Sequence, residues 1–342
     1  MKRCLTLAKK GVGKTSPNPL VGCVVLDKYG KIISEGFHKK YGEFHAERDA
    51  LSKLPIGKAQ GGTLYVNLEP CSHLGKTPPC TDIIIEHKLK QVVIGMRDVN
   101  PKVDGISKLK SAGIEVIEGI LEDECENLNE IFIKNQTEKR IFIALKTATT
   151  LDGKISAKSG DSKWITGEKA RNYGKNLRKK YDAILTSSST VIADNPIMKH
   201  HTKIVLDSQL KTDFKNSKIY KNGKIIVFYG NVSKIPPEIK NISFIKTPEK
   251  NKKLDLKFIF NKLFELGIMS VFVEAGGKLS GAILPFADKI YQFVAPKITG
   301  DNEARSCFDF RKINKISQSM NFKFVQYKKI GDDILLEYKK VL

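Results

Sequence analysis

Short apolar runs alternate with helix-like stretches along most of the chain, and this alternation limits the fold more than any other feature. In the first half, residues 20–26, 31–36, 63–68, 91–95 and 114–117 read as strands. Residues 45–54, 81–88, 107–112 and 122–133 read as helices between them. Strand and helix in turn predict an α/β sheet covered by helices. A second series starts near Ile141, with strands over 141–148, 183–186, 203–206, 224–229 and 269–274 and an amphipathic helix over 256–266. The polar stretch Asn135-Gln136-Thr137-Glu138-Lys139-Arg140 divides the two, giving expected domains at 1–138 and 139–342. No internal repeat joins the halves.

The length supports the division: 342 residues fit two domains at about 150 residues each. Six cysteines are too few for a disulfide scaffold. The opening Met1-Lys2-Arg3-Cys4-Leu5 meets Lys9-Lys10 before any apolar core, unlike a signal peptide. No run nears the ~18 apolar residues that span a bilayer. A reduced, cytoplasmic enzyme without a membrane partner is expected. The net charge is +22, from 59 Lys and Arg against 37 Asp and Glu. The basic residues are spread, and stretches such as Lys175 to Lys180 read as solvated helix faces. A phosphorylated small substrate also suits a positive chain.

Gly11-Val12-Gly13-Lys14-Thr15 looks like the end of a phosphate-binding loop, but that motif needs glycine where Ala8 stands. No strand precedes it. A helix end with a flexible turn is the expectation there.

The strongest chemical signal is His45-Ala46-Glu47, followed by Glu69-Pro70-Cys71 and Cys80. One imidazole and two thiolates suit zinc, and three protein ligands leave a fourth position for water, as in catalytic sites. Glu47 stands two residues from a ligand and is free to carry protons. The same logic operates in zinc nucleobase deaminases. Cys80 opens an apparent helix after Pro78-Pro79, where a thiolate is favoured. A lone His or pair of Cys is ordinarily structural; the four residues together favour catalysis over that reading and over a closed structural zinc.

Between the cysteines stands Ser72-His73-Leu74-Gly75-Lys76-Thr77-Pro78-Pro79, an eight-residue gap where other zinc nucleobase deaminases have two. This stretch, with Ser16-Pro17-Asn18-Pro19-Leu20-Val21-Gly22 and Met96-Arg97-Asp98-Val99-Asn100-Pro101, resembles the RibD/RibG family of bifunctional riboflavin biosynthesis enzymes. In that family a diaminohydroxyphosphoribosylaminopyrimidine deaminase is fused to a 5-amino-6-(5-phosphoribosylamino)uracil reductase. The resemblance implies a cytidine-deaminase-like domain with one zinc on His45, Cys71 and Cys80, and Glu47 as proton shuttle. It implies substrate contacts from Asn18, His38, His73, Lys76 and Asn100. Two places depart from the family: Asp49 stands where many relatives have His, and Val103-Asp104-Gly105-Ile106 where they often have Gly-Arg-Gly.

Taken by itself, the second half offers a polar turn from Gly160 to Gly167 and a loop at Ala193-Asp194-Asn195-Pro196. Val273-Glu274-Ala275-Gly276-Gly277 reads as a strand entering a glycine turn and helix, a place where backbone N–H groups can meet a phosphate. No complete GxGxxG is present, so a standard Rossmann fold is not supported. The same resemblance extends here through Lys146, Thr150-Leu151-Asp152-Gly153-Lys154, Ser162-Lys163-Trp164-Ile165-Thr166, Asp194-Asn195-Pro196, Glu274-Ala275-Gly276 and Ala295-Pro296-Lys297. It implies a dihydrofolate-reductase-like domain that uses NADPH to reduce ribosyl to ribityl. Lys146, Asp194 and Glu274 are then catalytic. Ser162 and Arg178 face substrate, with Arg178 a candidate phosphate ligand. Trp164, Thr166, Thr190 and Gly276 meet the cofactor. Relatives follow Asn-Pro with Leu-Thr and an Arg; Ile197-Met198-Lys199-His200-His201 stands here, with Lys199 or His201 as possible replacements.

The expected protein is a homo-oligomeric, dimeric or tetrameric, bifunctional enzyme acting on a phosphorylated pyrimidine. The competing reading is a nucleic-acid-acting zinc deaminase or RNA-binding module with a degenerate reductase half. It predicts binding that falls steeply with salt. The cysteine gap, the matched second half and the lack of basic stripes interleaved with aromatics weigh against it.

Overall fold

Apolar residues on both faces of the strands build two buried sheets. The computed structural model describes residues 1–75, 77–234, 237–309 and 312–341. The chain divides into two compact units, Met1–Arg140 and Ile141–Leu342. The division falls two residues after the expected one. Lys139 turns left-handed at the end of the last helix of unit one, and Arg140 is tied back to Glu138.

The first unit runs α1 (Lys2–Ala8), β1 (Gly22–Leu26), β2 (Ile32–Phe37), α2 (Ala46–Leu51), β3 (Thr63–Leu68), α3 (Cys80–Glu86), β4 (Gln91–Met96), α4 (Gly105–Ser111), β5 (Glu115–Ile117), α5 (Glu122–Leu128) and α6 (Glu130–Glu138). The sheet order is β2-β1-β3-β4-β5. β1 is antiparallel to both neighbours, while β3, β4 and β5 are parallel. Cys23 and Val25 of β1 enter the main core with Ala46, Ala50, Leu64 and Ile94. Val24, pointing the other way, packs with Cys4 and Leu7 of α1. Two glycines let helices lie directly on strands. A Cβ on Gly22 would come within 2.1 Å of the Cys4 carbonyl oxygen, and one on Gly36 within 2.3 Å of that of Ala46. The stretch from Gly11 to Thr15 is a turn after a short 3-10 segment, with Gly13 at positive φ, and no strand leads into it.

The predicted helix over 122–133 is broken at Asn129. Its buried side chain leaves the helix pattern to bind the backbone of Leu20, accepting from its N–H at 2.8 Å and donating to its carbonyl at 3.1 Å. The same bonds, with one from Asn67, keep Leu20 out of β1.

The second unit contains β6 (Phe142–Thr149), β7 (Lys154–Ser156), α7 (Glu168–Leu177), β8 (Ala183–Ser187), α8 (Ser188–Asp194), β9 (Thr202–Leu206), β10 (Lys224–Tyr229), β11 (Ile242–Lys246), the short hairpin β12 (Glu249–Lys250) and β13 (Lys253–Leu254), α9 (Leu256–Glu265), β14 (Ser270–Glu274), α10 (Gly277–Ile283), β15 (Lys289–Val294), β16 (Arg305–Ser306), β17 (Phe322–Ile330) and β18 (Asp333–Lys340). A nine-stranded sheet has the order β11-β10-β9-β8-β14-β6-β15-β18-β17. It is parallel from β11 to β15, and β18 and β17 add antiparallel. Ile184 and Leu185, neighbours on β8, enter separate cores on opposite faces. Such two-sided burial is the rule for parallel sheets. The expected loop at Ala193-Asp194 is the last turn of α8. Ser187 caps this helix and Asn195 ends it in the left-handed region at φ 41°.

Candidate functional site

In the first unit two helix starts and one strand end converge. His45 is the extended residue before α2, and Cys80 is the first residue of α3 after Pro79. Cys71 follows β3. His45 Nδ1 lies 3.5 Å from the Sγ of Cys71 and 3.5 Å from that of Cys80. All three ligand atoms fall within 4.8 Å of one another, as a shared metal ion requires. The Cys80 backbone N–H donates to Cys71 Sγ at 3.4 Å. Hydrogen bonding from Cys80, with help from His45 and against burial, holds the Cys71 thiol well below the ordinary thiol range. Cys80, bonded to that thiolate and buried, is raised in turn.

Glu47 sits on the first turn of α2 and is 3% exposed. Burial, reinforced by the Cys71 charge, pushes its carboxyl up to about 7. Its Oε2 is buried with no hydrogen-bond partner among the described residues. A carboxylate oxygen left without a partner is costly unless a bound group or water completes it.

A cavity of about 290 Å³ opens onto these residues. Asn18, His38, His73 and Asn100 all line it, beside His45, Glu47 and Cys71. The Asn18 amide nitrogen lies 3.2 Å from His38 Nε2, and His38 Nδ1 lies 3.0 Å from the Phe44 carbonyl oxygen. An amide nitrogen only donates, so Nε2 accepts and Nδ1 carries the proton. Burial lowers the His38 pKa, consistent with this neutral form. Lys76 lies outside the described residues. Asp49, the departure from the family pattern, ties α2 to β2: it accepts from the Phe37 N–H at 3.2 Å and pairs with Lys39 and Lys53.

Two acids escaped the sequence reading. Asp98 lines the cavity, and burial pushes it up to about 6. Glu69 is buried and accepts from the N–H groups of Asp98, Gly105 and Ile106, joining β3, the loop after β4, and α4. The signal was present in part, since both acids stand inside the quoted stretches around Cys71 and Asn100.

In the second unit, Lys146 of β6 and Glu274 of β14 are paired across adjacent strands. Glu274 takes a two-pronged bond from Arg178, Nε to Oε1 at 2.7 Å and Nη2 to Oε2 at 2.9 Å. Burial works to raise the Glu274 carboxyl, but the Arg178 fork overcomes it and holds the pKa below the ordinary value. Burial lowers the Lys146 pKa, with Glu274 opposing. Arg178, read from sequence as a phosphate ligand, thus has only Nη1 outside the fork. No hydrogen bond joins Ser162, Asp194, Thr190 or Gly276 to this trio among the described residues. Asp194 is exposed at the end of α8, Thr190 bonds to the Ser187 cap, and Thr166 is buried. Trp164 is 61% exposed. A Cβ on Gly276 would meet nothing within 4 Å, so the start of α10 is open. Lys199 and His201 are exposed, whereas both ring nitrogens of His200 are engaged by the backbone of Tyr181 and Thr202.

The first unit matches the cytidine and deoxycytidylate deaminase zinc-binding region over residues 1–96. The second matches the RibD C-terminal domain over residues 141–336. Fold and site define a zinc-binding deaminase joined in one chain to a reductase. The riboflavin biosynthesis protein RibD of Actinobacillus pleuropneumoniae is 39% identical over 99% of this chain and 94% of its own length. That of Escherichia coli is 37% identical over 98% and 97%. The crystal structure of a Thermotoga maritima deaminase/reductase superposes with a TM-score of 0.89 at 39% identity, covering 100% of this chain and 97% of that one. The chain belongs to the RibD family of bifunctional deaminase–reductases of riboflavin biosynthesis. The His45, Cys71 and Cys80 cluster of unit one and the sheet of unit two agree with that membership. Among the described residues no helix is long and apolar enough to cross a membrane.

Proposed function

We propose that the first unit hydrolytically deaminates 2,5-diamino-6-(5-phosphoribosylamino)pyrimidin-4(3H)-one. The second unit then reduces the ribosyl chain of the product with NADPH, giving 5-amino-6-(5-phosphoribitylamino)uracil. The Thermotoga relative is described as acting on these two substrates. The observation that carries the reading is the unpartnered, buried carboxylate oxygen of Glu47 at a small cavity bordered by His45 and Cys71. Volumes near 300 Å³ suit a single heterocycle with part of its sugar.

His45, Cys71 and Cys80 hold zinc, and the donor set of one imidazole and two sulfurs fits it. When bound, zinc makes water acidic enough to act as nucleophile near neutral pH. Glu47 accepts a proton from the nucleophile and delivers it toward the ring and the departing amine. The water oxygen bonds to the ring carbon, the C–N bond at that carbon breaks, and ammonia leaves. The His38–Asn18 pair, His73, Lys76 and Asn100 orient the ring and sugar phosphate.

In the second unit, Lys146, Asp194 and Glu274 act at the opened sugar, with Ser162 and Arg178 holding the substrate. Trp164, Thr166, Thr190 and Gly276 receive NADPH, and the exposed indole and the open backbone at Gly276 fit its approach. NADPH, when bound, supplies hydride to C1′. Lys146 and Arg178 place two cations against the one carboxylate of Glu274, an excess positive charge suited to a phosphorylated substrate. A cytoplasmic location follows for an enzyme whose substrate and coenzyme are both phosphorylated. We also read the chain as a homo-oligomer, because most of β17 is exposed at the sheet edge, including Phe324 and Tyr327. Light scattering showing a monomer at working concentration would remove that part.

The test is sequential. Purified protein should carry one zinc per chain and release ammonia from the diaminopyrimidinone. It should oxidise NADPH only after that release. Ammonia release without later NADPH oxidation would remove the reductase assignment, and bound zinc without ammonia would remove the substrate.

A further inference from the structure

We propose that Arg171 and Lys297 are positioning residues of the reductase, clamping Trp164 from two sides so that its indole is presented in one orientation. The inference rests on the reading of Trp164 as a cofactor contact. Sequence reading assigned no role to Arg171, and Lys297 entered only as part of a matched stretch.

The Arg171 guanidinium lies over the Trp164 ring, 4.3 Å from its centroid. Its Nη1 also donates to the Thr166 carbonyl oxygen at 2.6 Å, so the group cannot swing away without losing a charge-assisted hydrogen bond. Lys297 Nζ donates to the Trp164 carbonyl oxygen at 2.6 Å. One cation therefore fixes the ring and the other the backbone. The next turn is held as well: Gly167 N–H donates to Asp333, a buried carboxylate, at 2.8 Å.

Both cations stand on anchored supports. Arg171 is on α7, and its own N–H bonds to the Gly167 carbonyl oxygen at 3.1 Å. Lys297 accepts from the Leu151 N–H at 2.7 Å, and just beyond it the N–H groups of Thr299 and Gly300 donate to the Asp152 carboxylate. Trp164 stays 61% exposed although Arg171 lies over its ring. An exposed aromatic held this firmly has lost its rotamer freedom before a ligand arrives, so binding need not supply that cost.

Trp164 is the sole tryptophan of the chain, so its emission reports on this position alone. In the full-length protein without coenzyme, Arg171→Ala and Lys297→Met should each speed the local component of the Trp164 anisotropy decay. NADPH titration should quench wild-type emission, and the variants should need more NADPH, about two- to fivefold for Arg171→Ala, the scale of one exposed cation–aromatic contact. The KM for NADPH should rise by a similar factor with a smaller change in kcat. Arg171→Lys should recover only part, because a point charge lacks the planar stack and fork. Lys297 is exposed, so its variant keeps the test independent of folding at Arg171. Quenching in the wild type with unchanged anisotropy and KM in both variants overturns the clamp. Absence of quenching in the wild type would instead remove the coenzyme from Trp164, and the clamp's purpose with it.

Discussion

Gly36 lies so close beneath Ala46 that a methyl group on it would approach the Ala46 carbonyl oxygen to 2.3 Å and the Ala50 nitrogen to 2.5 Å. The contact is backbone on backbone, so no side chain can move aside. It sets the height of α2 over β2, and with it the positions of His45 and Glu47. Gly36→Ala should therefore cost about 1–3 kcal/mol of stability by overpacking. A shift of α2 on the order of 1 Å should lower deamination about 10²-fold. Wild-type melting and ammonia release in this variant would show that α2 is placed by something else.

Glu47→Gln preserves shape and removes the proton carrier. Ammonia release should fall roughly 10²–10⁴-fold while bound zinc, read by atomic emission, stays at the wild-type level. Reduction of supplied deaminated substrate should continue at full rate. Equal loss of both activities in a folded variant would contradict separate sites.

Stripping the metal makes a complementary cut. Dialysis against a chelator should abolish ammonia release and spare NADPH oxidation with deaminated substrate, and added zinc should restore the first. Cys80→Ser should weaken zinc retention, since a hydroxyl is a poor substitute for a thiolate. Retained deamination in metal-free protein would sink the ligand assignment.

Arg178 and Glu274 form a paired charge with side chains only 16% and 15% exposed. Removing Arg178 takes away the forked partner and leaves the buried Glu274 only the Lys146 charge across the strands, at a cost of up to about 3 kcal/mol. Arg178→Met should thus lower the melting temperature of the second unit and its reductase rate, while the double change with Glu274→Leu should regain stability and no activity. Calorimetry of the single and double variants decides this. If the double variant is no more stable than the single, the pair is not what stabilises the strand end.

Asp152 accepts from the Thr150 hydroxyl and from the N–H groups of Thr299 and Gly300, with the Thr150 bond the largest influence. These hold its pKa down to about 2, below the ordinary value near 3.9. A depressed folded pKa adds stability that is present above about pH 4 and lost as pH falls toward 2. Urea unfolding at pH 6 and pH 3 should show the wild type losing more than Asp152→Asn over that interval. Parallel losses would mean that the carboxylate contributes nothing beyond its shape.

The metal cluster was legible because three ligands and an acid at fixed spacing are chemically distinctive without any fold. The strands were legible where short apolar runs are mostly buried, as in Thr63–Leu68 and Lys224–Tyr229. β17 was not, because most of its residues are exposed and no apolar alternation marks it. The break at Asn129 depends on a partner 109 residues away, which no local pattern encodes. Glu69 shares that difficulty, since N–H groups of the 98 loop and of α4 claim its carboxylate, and Asp98 is set apart by burial that only the fold creates. Arg178 was read as a candidate phosphate ligand beside Glu274, and its bond to that carboxylate was not, because only the fold brings the 178 segment against the end of β14.

The asparagines that hold Leu20 have a consequence for genetics. Asn67 donates to the Leu20 carbonyl oxygen at 2.9 Å and accepts from the Gly22 N–H at 2.7 Å, while Asn129 grips both polar groups of Leu20. Together they tether the segment that carries Asn18 to the cavity, yet neither borders it. In a saturation survey of riboflavin prototrophy, positions 67 and 129 will score as intolerant as the pocket wall. Even a change to aspartate forfeits the donor half of each tether. An inactivating allele at either asparagine is thus a lesion in loop placement, with its proton carrier and metal ligands intact.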